Sequence, residues 1–190
     1  MYEFHLLSPE RWADFEKLFG THGAFGGCWC MWWLIPHSQF NRNKGEGNRL
    51  AFKALVETGS KPGILAYDGC EPVGWCAFGP REGYLALENS RSLKRVDDTP
   101  VWSVVCFYIA RRHRHQGLTV ALLRSVIEEA RRQGGKVIEG YPTLPNPNGE
   151  VDALIYMGLV SSFLQAGFSE VAQRGEKRVI MRYVINEQSR

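Results

Sequence analysis

The feature that most constrains the fold of this chain is an apolar run followed at once by a basic turn and an amphipathic segment. The run 101–109 is almost entirely apolar, with Ser103 as its interruption, which predicts a strand buried on both faces. The segment 117–133 predicts a helix with one buried face, because apolar residues recur there at four-residue spacing: Leu118, Leu122, Val126 and Ala130. A buried strand therefore passes directly into a helix in the middle of the chain.

The turn between this strand and this helix is suited to hold an anion. The first turn of a helix has N–H groups without intrahelical acceptors and the positive end of the helix dipole. Gly117 has no Cβ, so an anion can approach the backbone closely, and Arg114 can add a charge-assisted hydrogen bond. The sequence thus allows a pyrophosphate site here. Spacing alone supports equally a basic turn that only solvent contacts.

Composition argues against several classes of protein. Of the 190 residues, 44% are hydrophobic and 23% are charged, which excludes wholesale disorder, and no apolar stretch approaches the roughly 20 residues that span a bilayer. The N-terminus lacks the basic and apolar regions of a signal peptide, so we expect a cytoplasmic protein. Five cysteines at irregular spacing predict no disulfide framework. A net charge of +3 is too small to indicate a nucleic-acid-binding protein.

Strands and helices alternate along the rest of the chain. Asp68-Gly69 is a turn pair between two strand-like runs, which predicts a hairpin over 63–78. The remaining predicted elements are a strand at 2–7, a helix after Ser8, a helix at 48–57, a strand at 136–139, a proline-rich loop at 142–150, a helix at 158–166, and strands at 168–174 and 178–185. These elements predict a mixed α/β fold with a largely antiparallel sheet and one strand–helix–strand crossover.

The turn also resembles a known signature. Arg114, Gly117 and Thr119 stand at the three defined places of Arg/Gln-x-x-Gly-x-Gly/Ala, the acetyl-CoA signature of the GNAT superfamily of N-acetyltransferases. Thr119 departs from the usual Gly or Ala, but it leaves the backbone donors of the loop available. The stretches 66–75 and 163–183 are similar to the second and third strands of the family and to its C-terminal end.

The resemblance implies a fold and a set of ligand-binding residues. It implies a single domain over 1–190, with acceptor-side elements at 1–60, a cofactor-binding core at 63–140 and a C-terminal helix and hairpin at 150–185. The family sheet has about six to seven strands, helices on both faces and a splayed central strand pair. Acetyl-CoA would be the co-substrate, without a metal. Its binding residues would be Phe107, Tyr108 and Ile109 on the first splayed strand, and Arg114, His115, Gln116, Gly117, Leu118 and Thr119 in the turn.

The resemblance also implies direct attack of an amine on the thioester, with a backbone N–H polarising the carbonyl. A primary amine with a pKa near 10.4 is largely protonated at pH 7, so a general base has value, and Glu139 and Tyr141 near the second splayed strand are the candidates. The alternative interpretation is that Glu139 is an exposed strand residue and Tyr141 is an aromatic residue that packs in the core. Where the family often has a tyrosine that protonates the leaving thiolate, this chain has Phe163. That role then falls to water, to no group, or to Ser161, Ser162 or Tyr156.

An aromatic segment follows the first predicted helix, in the region where the family often forms one wall of its acceptor pocket. Trp29, Trp32 and Trp33 are candidates for lining that pocket, and core packing is the alternative for at least two of them. The same region holds two cysteines and two histidines whose spacing matches no common zinc site, so no metal is predicted: Cys28, Cys30, His22 and His37.

The sequence as a whole predicts an acetyl-CoA-dependent N-acetyltransferase that acts on an amine of a small molecule or a peptide. The alternative is a non-catalytic acyl-CoA-binding sensor or scaffold on the same fold, which Thr119 and Phe163 keep open. Neither a nucleic acid nor a membrane is expected as a partner, because the basic residues are concentrated in one turn. The resemblance also allows a homodimer. The acceptor and the length of the acyl group cannot be read from the sequence.

Overall fold

The fold is that of a computed structural model, which describes residues 2–144, 155–176 and 178–186. Within these residues seven strands form one sheet: β1 (Tyr2–Leu6), β2 (Gly63–Asp68), β3 (Glu71–Pro80), β4 (Trp102–Ile109), β5 (Val137–Gly140), β6 (Ser169–Arg174) and β7 (Arg178–Val184). The helices are α1 (Trp12–Phe19), α2 (His37–Arg42), α3 (Glu46–Glu57), α4 (Leu85–Glu88), α5 (Leu118–Arg132) and α6 (Val160–Gln165). Most of the proline-rich loop predicted at 142–150 lies outside the described residues.

The sheet is mixed but largely antiparallel, in the order β1-β2-β3-β4-β5-β7-β6. Among the strand pairs of this described sheet, only β4 and β5 are parallel, and α5 connects them. Parallel neighbours need a crossover on one face of the sheet, which the amphipathic helix supplies. The predicted fold class is therefore confirmed, including the strand–helix–strand crossover in the middle of the chain.

Successive residues of the central strands belong to two apolar clusters, one on each face of the sheet. In β2, Ile64 and Ala66 pack in the cluster of α5 and α6, whereas Leu65 and Tyr67 pack in the opposite cluster. That second cluster contains α1, α3 and the aromatic segment that follows α1. Side chains that alternate between the faces of a strand explain this division. Helices cover both faces, as the resemblance implies.

β4 separates from β5 at a bulge. The two strands pair only over 102–104 and 138–140 within the described sheet. On its other edge β4 shifts register against β3, which leaves Val105 as an extra residue. A bulge bends its strand and increases the local twist. Beyond it β4 continues to Ile109 beside β3, while β5 no longer pairs with it, and this gap is the predicted opening between the splayed strands. We call this gap the wedge.

Two of the helices were not predicted from the sequence. α2 buries Phe40, and α4 buries Ala86 and Leu87. So few apolar residues produce no helical periodicity, and helices this short depend on tertiary packing for their stability. No helix in the described part of the chain is long and apolar enough to cross a membrane.

Candidate active site

The turn between β4 and α5 is built from an alternation of backbone conformations. After β4 the chain makes a 3₁₀ turn at Arg111–His113. His115 and Gly117 then take left-handed conformations, with φ angles of 60° and 77°. Gly117 immediately precedes α5, and glycine adopts this φ without steric strain. The two left-handed residues redirect the chain from the end of the strand into the start of the helix.

Side chains of the turn hold it against the sheet. Arg114 donates from Nε to the carbonyl of Ile109 at 3.0 Å, which ties the turn to the last residue of β4. The side-chain amide of Gln116 donates to the carbonyl of Arg112 at 2.8 Å. The hydroxyl of Tyr2 in the edge strand β1 donates to Gln116 at 3.2 Å. The turn is therefore positioned before any ligand binds, which lowers the entropic cost of binding.

The geometry of the turn fits a phosphate group. The first N–H groups of α5 precede its first intrahelical bond, which runs from Ala121 to Gly117 at 3.2 Å, and no side chain within the described chain caps the helix. A Cβ at Gly117 would meet no atom within 4 Å, so the space beside the turn is open. Residues 115–117 are exposed, and Thr119 is half-buried and leaves the backbone donors in place. These donors and the positive end of the helix dipole favour an anion here.

The edge of β4 beyond the bulge faces the wedge. The N–H of Phe107 donates to the carbonyl of Tyr156 at 2.6 Å, so the segment before α6 lies against this edge. Phe107 and Ile109 pack on the α5 face of the sheet. Tyr108 lies on the opposite face, with its ring 5.3 Å from the ring of Phe19. The structure thus brings the three predicted strand residues and the predicted turn together along one edge.

Glu139 and Tyr141, the predicted catalytic pair, lie in a buried polar cluster. Their exposed fractions are 1% and 0%. Tyr141 donates its hydroxyl hydrogen to Oε1 of Glu139 at 2.8 Å and accepts a hydrogen bond from Arg81 at 2.8 Å. The Ser103 hydroxyl of β4 lies 2.7 Å from the Tyr141 hydroxyl. Arg81 also pairs with Oε1 of Glu139 at 3.0 Å, and Arg182 pairs with Oε2 at 2.8 Å.

This environment bears on the roles predicted for the pair. Each oxygen of Glu139 accepts from an arginine, so proton uptake there would break a buried ion pair. Burial, followed by the negative charge of Glu139, raises the pKa of Tyr141, so its hydroxyl stays protonated at neutral pH. Glu139 is not the exposed carboxylate of the alternative interpretation, whereas Tyr141 does pack in the core. General-base catalysis by the pair stays a prediction.

Sequence reasoning missed Arg81, which lies at the centre of this cluster. Its side chain is 1% exposed, and it also donates to the carbonyl of Leu93 at 2.7 Å and to Glu88 at 2.6 Å. It stands between Pro80 and Glu82-Gly83, a pattern typical of a solvated turn. Its partners Glu139 in β5 and Tyr141 just after it are 58 and 60 positions away, so no local pattern marks Arg81 as buried.

The three tryptophans predicted to line an acceptor pocket differ in their exposure. Trp29 is 4% and Trp33 8% exposed, and both belong to the apolar cluster on the α1 face. Trp32 is half-buried and stacks on the exposed ring of His37, with the ring centroids 3.9 Å apart and an interplanar angle of 18°. Of the three, Trp32 is therefore the best placed to contact a ligand.

Phe163 stands where the resemblance expects a tyrosine, and its side chain is fully buried on the α5 face. Its ring centroid lies 5.0 Å from that of Phe168 and 6.2 Å from that of Phe107. A Cβ at Gly140 would come within 2.1 Å of this ring, so β5 packs directly against it. A phenylalanine at this position provides no proton for the thiolate.

Tyr156 is one of the candidates for protonating the thiolate, and its backbone lies against β4. Its carbonyl accepts the N–H of Phe107, and its side chain packs half-buried against the cluster on the α1 face. Burial raises the pKa of its phenol, and the positive charge of Arg178 opposes that shift only in part. The phenol is therefore protonated at neutral pH. Of the other named candidates, Ser161 is exposed and Ser162 half-buried at the start of α6.

A cleft of about 1010 Å³ lies apart from these residues, between the end of α1, the glycine-rich loop that follows it and the start of α3. Arg49 lines this cleft and pairs with both Glu16 and Glu46. Trp29 forms part of the wall, and none of the lining residues belongs to β4 or to the turn. Among the described side chains, no group of three or more His, Cys, Asp or Glu is arranged to hold a metal ion.

Known structures with a similar fold include several acetyltransferases. A GNAT-family acetyltransferase from Streptococcus agalactiae superposes with a TM-score of 0.59 at 12% identity, covering 98% of this chain and 96% of that one. The PaiA N-acetyltransferase from Thermoplasma acidophilum, in complex with coenzyme A, gives a TM-score of 0.55 at 12% identity over 97% and 99% of the two chains. YncA from Salmonella typhimurium, with its cofactor acetyl-CoA, gives 0.51 at 17% identity over 100% and 96%.

Sequence comparison completes the assignment. No curated protein matches the sequence significantly. The family model described as acetyltransferase (GNAT) family matches residues 28–148, which is more than half of the chain and includes β4, the turn, α5 and β5. The match covers the wedge and the turn that the sequence and the structure single out. The chain belongs to the acetyltransferase (GNAT) family.

Proposed function

We propose that this protein is an acetyl-CoA-dependent N-acetyltransferase that transfers the acetyl group to an amine of a small molecule or a peptide by direct attack. The observation that carries the proposal is that the wedge beside Phe107 runs along one strand into the turn at 114–119. A linear cofactor with a thioester at one end and a pyrophosphate towards the other matches this layout. Two of the proteins with a similar fold were solved with coenzyme A or acetyl-CoA, which supports the choice of cofactor.

The turn binds the pyrophosphate in this proposal, through the first N–H groups of α5 and the charge of Arg114. The backbone of Phe107 and Ile109 pairs with the pantetheine arm in the wedge. If the N–H of Phe107 polarises the thioester carbonyl, the carbonyl of Tyr156 has to leave it first.

The acceptor amine approaches from the α1 face, where Trp32 and Tyr108 are half-buried. At pH 7 only about one primary amine in a few thousand is unprotonated, so its proton must be removed. We assign that step to a water that passes the proton to bulk solvent, because both oxygens of Glu139 already accept hydrogen bonds from arginines. This proposal departs from the general-base role predicted for Glu139 and Tyr141. Tyr156, as a protonated phenol beside the wedge, serves the departing thiolate.

A thermal-shift measurement tests the cofactor part of the proposal. Acetyl-CoA and coenzyme A at 100 times their dissociation constants add about 2.7 kcal/mol of stability, which for a domain of this size raises the melting temperature by roughly 5 to 10 °C. ATP at matched ionic strength has no pantetheine arm and serves as the control ligand. If neither form of coenzyme A raises the melting temperature at saturation, the proposal fails.

Arg114→Ala tests the position of the site, with Arg132→Ala as its matched control. Arg132 lies at the far end of α5, where it is exposed and forms an ion pair with Glu129 of the same helix. We expect Arg114→Ala to weaken coenzyme A binding about tenfold, whereas Arg132→Ala leaves it unchanged. If coenzyme A binds equally to the unchanged protein and to both variants, the pyrophosphate lies elsewhere.

Turnover separates an enzyme from a sensor. The buried, apolar Phe163 is the feature that favours a non-catalytic acyl-CoA-binding module as a second candidate function. Release of free thiol from acetyl-CoA in the presence of a panel of small-molecule and peptide amines supports the transferase. Binding of acetyl-CoA without thiol release across the panel supports the sensor.

A further inference from the structure

The buried cluster around Arg81 joins four separate segments of the chain. Arg81 follows β3, Ser103 is in β4, Glu139 and Tyr141 are at the end of β5, and Arg182 is in β7. Arg81, Ser103, Glu139 and Tyr141 are all 1% exposed or less. Placing two ions and two hydroxyl groups in the core is costly unless their bonds are satisfied, and here each has a partner within 3.0 Å.

The cluster lies at the point where the wedge begins. Ser103 is in the last part of β4 that still pairs with β5, two residues before the bulge at Val105. Tyr141 lies just beyond Gly140, the last residue of β5 that pairs with β4. The 2.7 Å contact between the hydroxyls of Ser103 and Tyr141 therefore joins a residue inside the ladder of β4 to the first residue after β5, at the end where the two strands stop pairing.

We propose that the Ser103–Tyr141 hydrogen bond, held in place by Arg81 and Glu139, is a positioning device that fixes where β4 and β5 part and thereby shapes the wedge for the pantetheine arm. This inference rests on the proposed function. Arg81 and Glu139 orient the Tyr141 hydroxyl, because one donates to it and the other accepts from it. A hydroxyl held from both sides has little freedom to follow a movement of either strand.

A purely structural cluster and a positioning cluster predict different ligand responses. If the cluster only stabilises the fold, its loss lowers the melting temperature without distinguishing one part of the cofactor from another. If it shapes the wedge, its loss weakens binding of the pantetheine arm and spares the nucleotide end, which the turn at 114–119 holds. Coenzyme A and 3′-phosphoadenosine 5′-diphosphate are the two probes, because the second keeps the nucleotide and its pyrophosphate and lacks the pantetheine arm.

Tyr141→Phe and Ser103→Ala remove the contact from either strand, and calorimetry measures the affinity of each protein for the two probes. Tyr84→Phe is the matched control: Tyr84 is 4% exposed on the same face, and the described residues offer its hydroxyl no hydrogen-bond partner. We expect both cluster variants to bind coenzyme A about tenfold more weakly, while their affinity for the nucleotide stays within about twofold of the unchanged protein. Tyr84→Phe binds both probes normally.

Other outcomes overturn the inference in distinguishable ways. Unchanged affinity for coenzyme A in a folded Ser103→Ala protein removes the positioning role, even if Tyr141→Phe does not fold. An equal loss for both probes shows a general structural effect. A lower kcat at saturating acetyl-CoA with unchanged coenzyme A affinity would establish catalysis by Tyr141 instead. Failure of the unchanged protein to bind coenzyme A overturns the proposed function, and this inference with it.

Discussion

Two glycines at the ends of α5 both have a positive φ angle, but we propose a ligand-binding role for only one of them. Gly117 precedes the helix with a φ of 77°, and Gly134 follows it with a φ of 79°. A Cβ at either position would meet no atom within 4 Å. Alanine at each therefore carries the steric cost of a left-handed conformation, about 1–2 kcal/mol, and no clash with a neighbour. We propose a ligand beside Gly117 and none beside Gly134.

Gly117→Ala and Gly134→Ala consequently separate binding from stability. We expect both variants to lose a similar 1–2 kcal/mol in urea unfolding, because their φ angles are alike. Only Gly117→Ala should weaken coenzyme A binding, by about tenfold or more, because its Cβ would enter the space that we propose for the pyrophosphate. Equal coenzyme A affinities in the two variants would contradict the placement of the pyrophosphate at this turn.

At this scale the sequence predicts backbone features better than side-chain partners. Gly117 was recognised because a helix start and a missing Cβ are local properties. Glu139 and Tyr141 were correctly placed at the end of a strand, but their bonds to Arg81 depend on how distant segments meet. An arginine between Pro80 and Gly83 reads as solvated, since local sequence carries no information on a partner 58 positions away.

At the scale of elements, α6 carries Phe163 where the resemblance expects a tyrosine, and the segment before α6 carries Tyr156. α6 places Phe163 in the apolar core against β5. The preceding segment places Tyr156 on the other face, with its carbonyl on β4. In the proposed mechanism the proton donor for the thiolate therefore comes from this segment rather than from α6.

The paired variants Tyr156→Phe and Phe163→Tyr test this division. Tyr156→Phe should lower kcat about tenfold at saturating acetyl-CoA, which is less than the roughly hundredfold or more typical of general-acid catalysis because a thiolate is a good leaving group. The loss should be constant from pH 6 to about pH 9, because the raised pKa keeps the phenol protonated over that range.

Phe163→Tyr should not restore activity, and it should cost about 1–3 kcal/mol in unfolding free energy for a buried hydroxyl without a partner. Rescue of Tyr156→Phe by Phe163→Tyr would contradict the assignment.

Elements with regular periodicity were the predictable part of the fold. β4 and α5 were read within one or two residues of their observed ends, since burial on both faces and four-residue spacing are sequence patterns. The region between α1 and α3 was not predictable in the same way. It contains Ala24, Trp29 and Cys30, which are non-glycine residues with positive φ angles of 63°, 41° and 61°. Tertiary packing imposes such conformations, and local propensity disfavours them.

At the scale of the whole molecule, the buried cluster extends into a chain of ion pairs that reaches the surface. Arg182 connects Glu139 to Asp97 at 2.7 Å, and Glu88 connects Arg81 to Arg95. The hydrogen bond from Arg182, followed by that from the backbone N–H of Thr99, lowers the pKa of Asp97. Burial opposes ionisation of Glu88, but hydrogen bonds from Arg95 and Arg81 outweigh it and lower its pKa. The segment that carries these acids is thus bound to the sheet by charge.

These shifts determine the pH range in which the fold weakens. A carboxylate whose pKa is lower in the folded than in the unfolded state stabilises the fold above its unfolded pKa of about 4, and this contribution disappears as the pH falls through the folded pKa. The urea-unfolding free energy should therefore be nearly constant between pH 7 and 5 and should fall below about pH 4.5.

Asp97→Asn should be less stable than the unchanged protein at pH 7, because it loses the ion pair with Arg182. The difference between the two should begin to shrink below about pH 4, where Asp97 of the unfolded chain takes up a proton, and should keep shrinking as the pH falls towards the lowered pKa of Asp97 in the folded chain. Asp98→Asn, an exposed neighbour without an ion pair in the described structure, should follow the unchanged protein at every pH. A constant difference between Asp97→Asn and the unchanged protein over the whole range would show that the charge of Asp97 does not bind this segment to the sheet.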